Sequence, residues 1–364
     1  MKIAYVLYGR FPTERAHGIQ VAKVCEALGK EAETTLVVPD FIASRGIDPF
    51  ATYGIERTFE VVRLPARGPH ANPVRFFIGK LSFLLRAARY VRRQGSELII
   101  SREALFTLFS PAPTVLEVHD LPRRRAPYVP LWNRSRMVVA KTEALRRELI
   151  VTGVESTRIA VLPNAVDLKD FAAPSDTVGT RQHYALPTQS PIALYVGSLQ
   201  SWKGVSTFLA AAAKVSNAVF AVAGGTDTER KALAKAYPAT NIRFLGAIPH
   251  AAVPALLKSA DMLVLPNSKR AQVSERYTSP LKLFEYMAAR RPIIASRLAS
   301  IEEILAPTEG FYFEPDNPED LARALREALT NPSDAAARSE AAFARVSGNT
   351  WEAYAQRLRM AGSP

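Results

Sequence analysis

A chain of 364 residues with 48% hydrophobic content is too long for one ordinary domain and suits two of about 170 residues each. Its formal net charge of +13, roughly +9 of it before Ala172, implies an anionic partner: nucleic acid, a membrane surface or a phosphorylated substrate. The single cysteine, Cys25, lies in an apolar helical pattern and excludes an internal disulfide framework or a cysteine-based zinc site.

Met1 and Lys2 lead directly into the strand-like residues 3–7, with no signal-type apolar region and no cleavage site. No run of about 18 apolar residues follows, so a soluble, cytoplasmic protein is the expectation. Strand-like and amphipathic helical runs then alternate: 3–7, 18–28, 35–38, 97–100, 102–109, 114–118, 137–140, 143–149 and 159–162. That alternation predicts a doubly wound parallel sheet with helices on both faces, and such sheets bind ligands beyond the carboxyl ends of their strands.

Residues 9–18 (GRFPTERAHG) make a loop too long for a simple strand-to-helix turn, and Gly18 opens the next helix. A glycine there serves either the turn itself or a close approach of backbone to ligand. No GxGxxG occurs, which counts against a nicotinamide or flavin site. In residues 73–93 (PVRFFIGKLSFLLRAARYVRR), Phe76, Phe77, Ile78, Leu81, Phe83, Leu84 and Leu85 interleave with Arg75, Lys80, Arg86, Arg89, Arg92 and Arg93. Such a helix either packs on the core with a solvated basic face or lies in an anionic membrane interface. The run 114–120 (TVLEVHD) ends a strand on His119 and Asp120, as packed residues or as ligand contacts. Thr142 is a helix N-cap. The small, polar, Pro- and Gly-bearing stretch 172–180 reads as a linker, which sets domains at 1–172 and 173–346.

Residues 191–196 restart a buried strand, followed by GSLQSWKG (197–204) and a helix from Val205. Lys203 thereby stands beside a helix N-terminus at a strand's carboxyl end, facing either a diphosphate or solvent. The GxxxxGK[ST] spacing of a Walker loop fails. Runs at 219–225, 241–246 and 261–265 continue the alternation. The stretch 266–296 (PNSKRAQVSERYTSPLKLFEYMAARRPIIAS) then opens as a charged loop and starts a helix sharply, with Ser279 as N-cap and Pro280 as first helical residue. Leu283, Phe284, Met287 and Ala288 form its apolar side; Glu285 sits off that stripe, about one turn in. Free amides at such a helix start suit a phosphate, and a carboxylate one turn further can accept both hydroxyls of a ribose. The plainer alternative is an acid placed favourably near a helix dipole. His250 reads as a helix-start residue, Glu302 and Glu303 as opening a helix, 316–320 as a cap, and 351–358 as a terminal helix.

The segment SPLKLFEYMAARRPIIAS resembles the donor-site signature of the family 4 glycosyltransferases, retaining enzymes of the GT-B fold. YVGSLQSWKGV, FPTERAHGIQVAKVCEALGK, VLPNAVDLKDF and FLGAIPHAAVPALLKSADMLVLPN are similar to other segments of that family, so the likeness spans nearly the whole chain. The resemblance implies two Rossmann-like domains with an interdomain cleft, the segment 347–364 crossing back onto the first. It implies a donor site of Gly18, Gly197, Ser198, Lys203, Ser279, Pro280, Leu281, Lys282 and Glu285, with Glu285 on the ribose and the loop and helix start on the diphosphate. His119 is then expected near the transferred sugar, with His17 and Asp120 on the acceptor side. Two positions depart from the family. Tyr277 stands where a second glutamate is usual, eight residues before Glu285, with Glu275 the nearest acid; Ser198 stands where arginine is common.

The reading is a retaining hexosyltransferase that uses a UDP- or GDP-sugar as substrate and a glycan or lipid-linked acceptor. Lys203, Lys282 and the amides after Ser279 would stabilise the leaving diphosphate, with His119, Lys203 and Glu285 as the central site residues. The scheme requires no cofactor and no divalent metal, and no DxD-type cluster stands out. The alternative is a catalytically inactive relative that binds a sugar nucleotide or a partner enzyme, suggested by Tyr277 and Ser198. Nucleic-acid binding rests on charge alone, without a recognised module, and is not expected. An anionic membrane surface is a candidate partner through 73–93, at the inner face.

Overall fold

The computed structural model describes residues 1–66 and 72–362, so the last two residues of the expected 347–364 segment lie outside it. The chain divides into two compact units, Met1–Pro163 with Trp351–Pro364, and Asn164–Thr350.

The first unit holds seven strands: β1 (Lys2–Val6), β2 (Glu33–Pro39), β3 (Glu60–Leu64), β4 (Leu98–Ser101), β5 (Thr114–Val118), β6 (Met137–Ala140) and β7 (Ile159–Val161). They form one sheet in the order β3-β2-β1-β4-β5-β6-β7, and every pair is parallel. The apolar residues of the inner strands β1, β4 and β5 are buried on both faces, as crossover helices require. Each Val, Ile or Leu so buried contributes roughly 1.5–3 kcal/mol. Strand order reverses beside β1, with Val6 in register with Val37 on one side and Ser101 on the other. This switch point opens a crevice at the carboxyl ends of β1, β4 and β5. The terminal helix Trp351–Gly362 packs into this unit, with Trp351, Tyr354, Ala355 and Leu358 buried. β3 and the short helix Pro49–Tyr53 were not anticipated; β3 is an edge strand whose residues are half-buried or exposed, without the alternation that marks a strand.

The second unit holds β8 (Ile192–Val196), β9 (Val219–Ala223), β10 (Ile242–Gly246), β11 (Met262–Leu265), β12 (Ile293–Ser296) and β13 (Phe311–Phe313). Their order is β10-β9-β8-β11-β12-β13, again with every pair parallel. Two apolar layers cover the sheet, one including Leu194, Leu263, Leu283 and Phe284 and the other Tyr195, Phe208, Phe220 and Val264. The switch point lies between β8 and β11.

The boundary falls at Pro163 and Asn164, not in the polar stretch 172–180. Val166 and Phe171 are buried in the core of the second unit, and the Asn164 N–H donates to Ser279 Oγ at 2.9 Å. Burial of two apolar side chains overrides the composition signal. Part of the expected linker is the helix Thr177–His183, N-capped by Asp176. At the other end, residues 347–350 stay with the second unit, through a bridge between Val166 and Thr350. Glu302 closes the helix Ala299–Glu302, and Glu303 follows it, because the buried Ser300 and Ile301 fix where that helix begins.

Candidate functional site

In the second unit, β8 runs into Gly197, whose φ of +146° is a backbone conformation that side chains disfavour. A short 3-10 turn, Ser201–Lys203, follows, and Gly204 (φ +70°) starts the helix Val205–Ala212. A Cβ on Gly204 would stand 1.6 Å from the carbonyl oxygen of Pro266, so glycine is required where this loop meets the segment after β11. The Trp202 carbonyl accepts from Ser268 N–H at 3.0 Å and pins the two loops together.

The helix expected after Ser279 spans Leu281–Ala288, one residue later than expected, with Pro280 as its cap residue. Ser279 is not the N-cap. Its Oγ accepts from the Asn164 N–H, and its carbonyl accepts from Asn164 Nδ2 at 2.5 Å. A distant backbone amide outcompetes the helix for the serine, leaving the helix's first amides without a side-chain cap.

Lys282, in the first turn, carries the most distinctive chemistry. Its Nζ is buried without a hydrogen-bond partner and lies 4.0 Å from the centre of the Tyr195 ring. A Cβ on Gly197 would stand 2.7 Å from that nitrogen, so strand end and helix start converge there. Burial pushes its pKa well down, Lys203 adds repulsion, and Glu285 opposes both. Lys203 rests its ammonium 3.7 Å from the Trp202 ring centre, and burial lowers its pKa to about 8. Glu285, one turn along the helix, meets His250 Nε2 through Oε1 at 3.1 Å. The expected Gly197, Ser198, Lys203, Lys282 and Glu285 thus gather at the carboxyl edge of β8 and β11. Tyr277 is 3% exposed, with its hydroxyl accepting from Gln272 Nε2 at 3.3 Å. Its phenol is committed to packing, and Glu275 is half-buried in the same turn.

In the first unit, a cavity of about 510 Å³ opens at the switch point, lined by His17, Arg102, Glu117, His119, Asp120, Tyr128 and Trp132 among others. His119 Nε2 is buried there without a partner. Burial drives the His119 pKa well down, with Arg102 and Lys141 adding to the effect, so its imidazole is neutral. Burial and the arginines Arg102, Arg15 and Arg10 lower His17 to about 4. Two neutral imidazoles, each with one donor and one acceptor, suit hydroxyl groups better than they suit proton transfer. Asp120 is exposed and accepts from the Leu121 N–H at 2.8 Å. Gly18, expected to open its helix, lies inside it. It is the third residue of the helix Ala16–Gly29, and its amide donates to the Arg15 carbonyl at 2.9 Å. A Cβ there would meet Tyr53 Oη at 2.2 Å, so the missing side chain allows close packing.

At the cavity wall, Glu117 accepts from Tyr5, Tyr354 and Lys141 Nζ, the last at 3.1 Å, and pairs with Arg102 Nε at 3.6 Å. Burial alone would raise its pKa, but Lys141 and Arg102 hold it well below the usual range. Among the described residues, no group of three or more His, Cys, Asp and Glu side chains is placed to hold a metal ion, and no helix is long and apolar enough to cross a membrane.

The family model "Glycosyltransferase Family 4" matches residues 17–170, and "Glycosyl transferases group 1" matches residues 179–345. The chain belongs to the family 4 glycosyltransferases. Its fold is GT-B: a solved structure of sucrose-phosphate synthase from Thermosynechococcus elongatus superposes with a TM-score of 0.80 at 20% identity, covering 98% of this chain and 97% of that one. Anabaena HepE in complex with UDP-glucose gives 0.77 at 17% identity, with 99% and 98% covered. A GDP-mannose-dependent phosphatidylinositol dimannoside mannosyltransferase of Mycobacterium tuberculosis is 29% identical over 199 residues, 54% of this chain and 49% of that protein. The chain spans about half the length of the curated relatives it matches.

In this family member, sequence reasoning missed the His250 contact to Glu285, the Asn164 clamp on Ser279 and the buried network around Glu117. His250 was legible only as a helix-start residue. The one available signal for Glu117 was an acid in the middle of an apolar strand, which demands a buried partner.

Proposed function

We propose that this glycosyltransferase moves a hexose-type sugar from a nucleoside-diphosphate sugar to a hydroxyl of a glycan or lipid-linked acceptor, with retention of anomeric configuration. The observation that carries the reading is the pair Lys203 and Lys282, two lysines held near one another at a strand edge and helix start, neither with an acid bound to its ammonium among the described residues. Such a pair calls for an anion of more than one charge. The Leu281–Ala288 helix start adds free amides and its positive dipole end. Glu285, steadied by His250, is placed one turn further to accept ribose hydroxyls.

In this reading the acceptor oxygen bonds to the anomeric carbon as the bond to the phosphate oxygen breaks, both on one face of the sugar. The hydroxyl proton passes to the departing phosphate. Protein cations and amides stabilise the charge that develops, and alignment supplies the rest. The cavity of the first unit, with neutral His17 and His119 and the aromatic Tyr128 and Trp132, suits sugar hydroxyls and a sugar face. The UDP-glucose complex of HepE and the GDP-mannose dependence of the mycobacterial relative make UDP- and GDP-sugars the first donors to try.

The buried Tyr277 favours a second reading, a relative that binds a sugar nucleotide without transferring it, since no carboxylate occupies that position. The test is a thermal-shift screen of UDP-, GDP-, ADP- and dTDP-sugars, followed by transfer assays across an acceptor panel. A donor present at 100 times its Kd stabilises by about 2.7 kcal/mol, and Glu285→Ala should abolish that shift. A variant with full donor affinity would remove the site assignment; binding without transfer would favour the second reading.

A further inference from the structure

A second cavity in the first unit, of about 380 Å³, lies at the opposite end of the sheet from the crevice described above. Arg134, Arg136 and Arg158 line it together with Ser110, Thr114 and Ser135, and its lining holds no aspartate or glutamate. The sheet itself gathers these arginines. Arg134 ends the helix Val129–Arg134, Arg136 stands just before β6, and Arg158 stands just before β7. The Arg136 N–H donates to the carbonyl of Thr114, the first residue of β5, at 2.9 Å. Val138 pairs with Ile159, which brings the entries of β6 and β7 side by side. Strands of three to five residues separate this edge from the carboxyl ends, a distance of roughly 10–17 Å.

Part of the set is occupied with the fold. Arg134 Nε donates to the Thr107 carbonyl at 2.9 Å. Arg158 donates from Nε to Glu155 at 2.6 Å and from a terminal nitrogen to the Ser135 carbonyl at 3.3 Å. Among the described residues Arg134 pairs with no acid, and its two terminal nitrogens make no hydrogen bond, so that end of its planar fork is available to a ligand. The hydroxyls have spent their protons inside the wall. Ser110 Oγ donates to the Ala112 carbonyl at 2.8 Å, and Thr114 Oγ1 donates to Ser110 Oγ at 2.7 Å. Their remaining capacity is to accept.

We propose that this cavity binds a phosphate monoester of a small polyol, such as a sugar phosphate. The phosphate would lie on the arginines, whose forks match its oxygens, and the ligand's hydroxyls would donate to the Ser110 and Thr114 oxygens. A bare phosphate leaves most of the space empty; sites for small organic molecules begin at about 300 Å³. The helix Val129–Arg134 also carries Trp132, which lines the larger cavity. An occupant here therefore steadies one wall of that cavity. The proposal is independent of the donor reading, because it uses neither Lys203 nor Lys282.

The experiment is titration calorimetry of glucose 6-phosphate, glycerol phosphate and orthophosphate at low ionic strength, with and without UDP or GDP. Wild type should bind both esters, and added UDP or GDP should leave their affinity unchanged. Arg134→Gln and Arg158→Gln should each weaken the esters by about tenfold or more. Arg134→Lys keeps the charge and a donor but loses the fork, so it too should weaken them, and it keeps the comparison intact if a glutamine variant fails to fold. Lys231→Gln removes an exposed charge from the second unit and should change nothing. Vesicles containing phosphatidic acid separate the sources of the phosphate: binding lost in the arginine variants assigns a lipid-borne ester, and binding unchanged assigns a free one. Equal ester affinity in wild type and the arginine variants, an equal loss in Lys231→Gln, displacement by UDP or GDP, or no binding to wild type overturns the proposal.

Discussion

Replacing Lys203 by methionine should make the ligand-free protein more stable and the donor complex weaker. The fall of the Lys203 pKa from 10.5 to about 8 has burial as its cause, and it corresponds to roughly 3 kcal/mol of disfavoured ammonium. Stacking on Trp202 at 3.7 Å returns about 0.5–1 kcal/mol of that. Methionine keeps much of the apolar stem, so a gain of about 2 kcal/mol is expected at pH 7. For a unit of this size it raises the melting temperature by roughly 4–8 °C. The pH dependence carries a definite sign. The folded pKa lies below the unfolded one, so the unfolded chain binds more protons between about pH 8 and 10.5. The wild-type penalty is therefore full below pH 8 and fades as pH rises through that window, and Lys203→Met should flatten the rise. Urea or thermal unfolding at pH 7 and pH 9.5, with and without the best donor of the screen, measures both effects. A variant less stable than wild type at pH 7, or one that keeps the full donor-induced shift, refutes the reasoning.

Glu117→Gln should cost about 3 kcal/mol by urea unfolding at pH 7, because it leaves Lys141 and Arg102 buried without their carboxylate. Burial would raise this carboxyl, but its cationic partners hold it well below 4.5. Its stabilisation is thus present above pH 4.5 and lost as pH falls toward the folded value, and the variant should show a shallower acid loss. The helix Pro73–Arg93 exposes Val74, Phe76, Phe77 and Ile78 beside its arginines. It should bind vesicles containing anionic lipid in a salt-sensitive way, each arginine near the surface contributing about 1 kcal/mol. Co-sedimentation should drop when Phe76, Phe77 and Ile78 become serine; undiminished binding, or equal binding to neutral vesicles, counts against a membrane role.

The candidate site was legible wherever a local pattern encoded it. Gly197 and Lys203 follow a strand and Glu285 lies one turn into a helix, and such positions can be read within a dozen residues. Ser279 was misplaced because its cap role depended on a competitor 115 residues away in sequence, the Asn164 amide. For Gly18 the sequence leaves both uses of a glycine open, because a missing side chain has the same signature whether a ligand or Tyr53 fills the gap.

The sequence alone therefore determined the two parallel sheets, since a periodicity of apolar residues states which faces are buried. It also marked the strand ends at which glycines and polar side chains interrupt that periodicity. Only the tertiary structure decided that Lys282 lies beneath Gly197 and on Tyr195, that His250 holds Glu285, and that Glu117 gathers Tyr5, Lys141 and Tyr354. These pairings join elements tens to hundreds of residues apart. Strand order brings them together, and a lone charged residue carries no periodic signal of the partner it will meet.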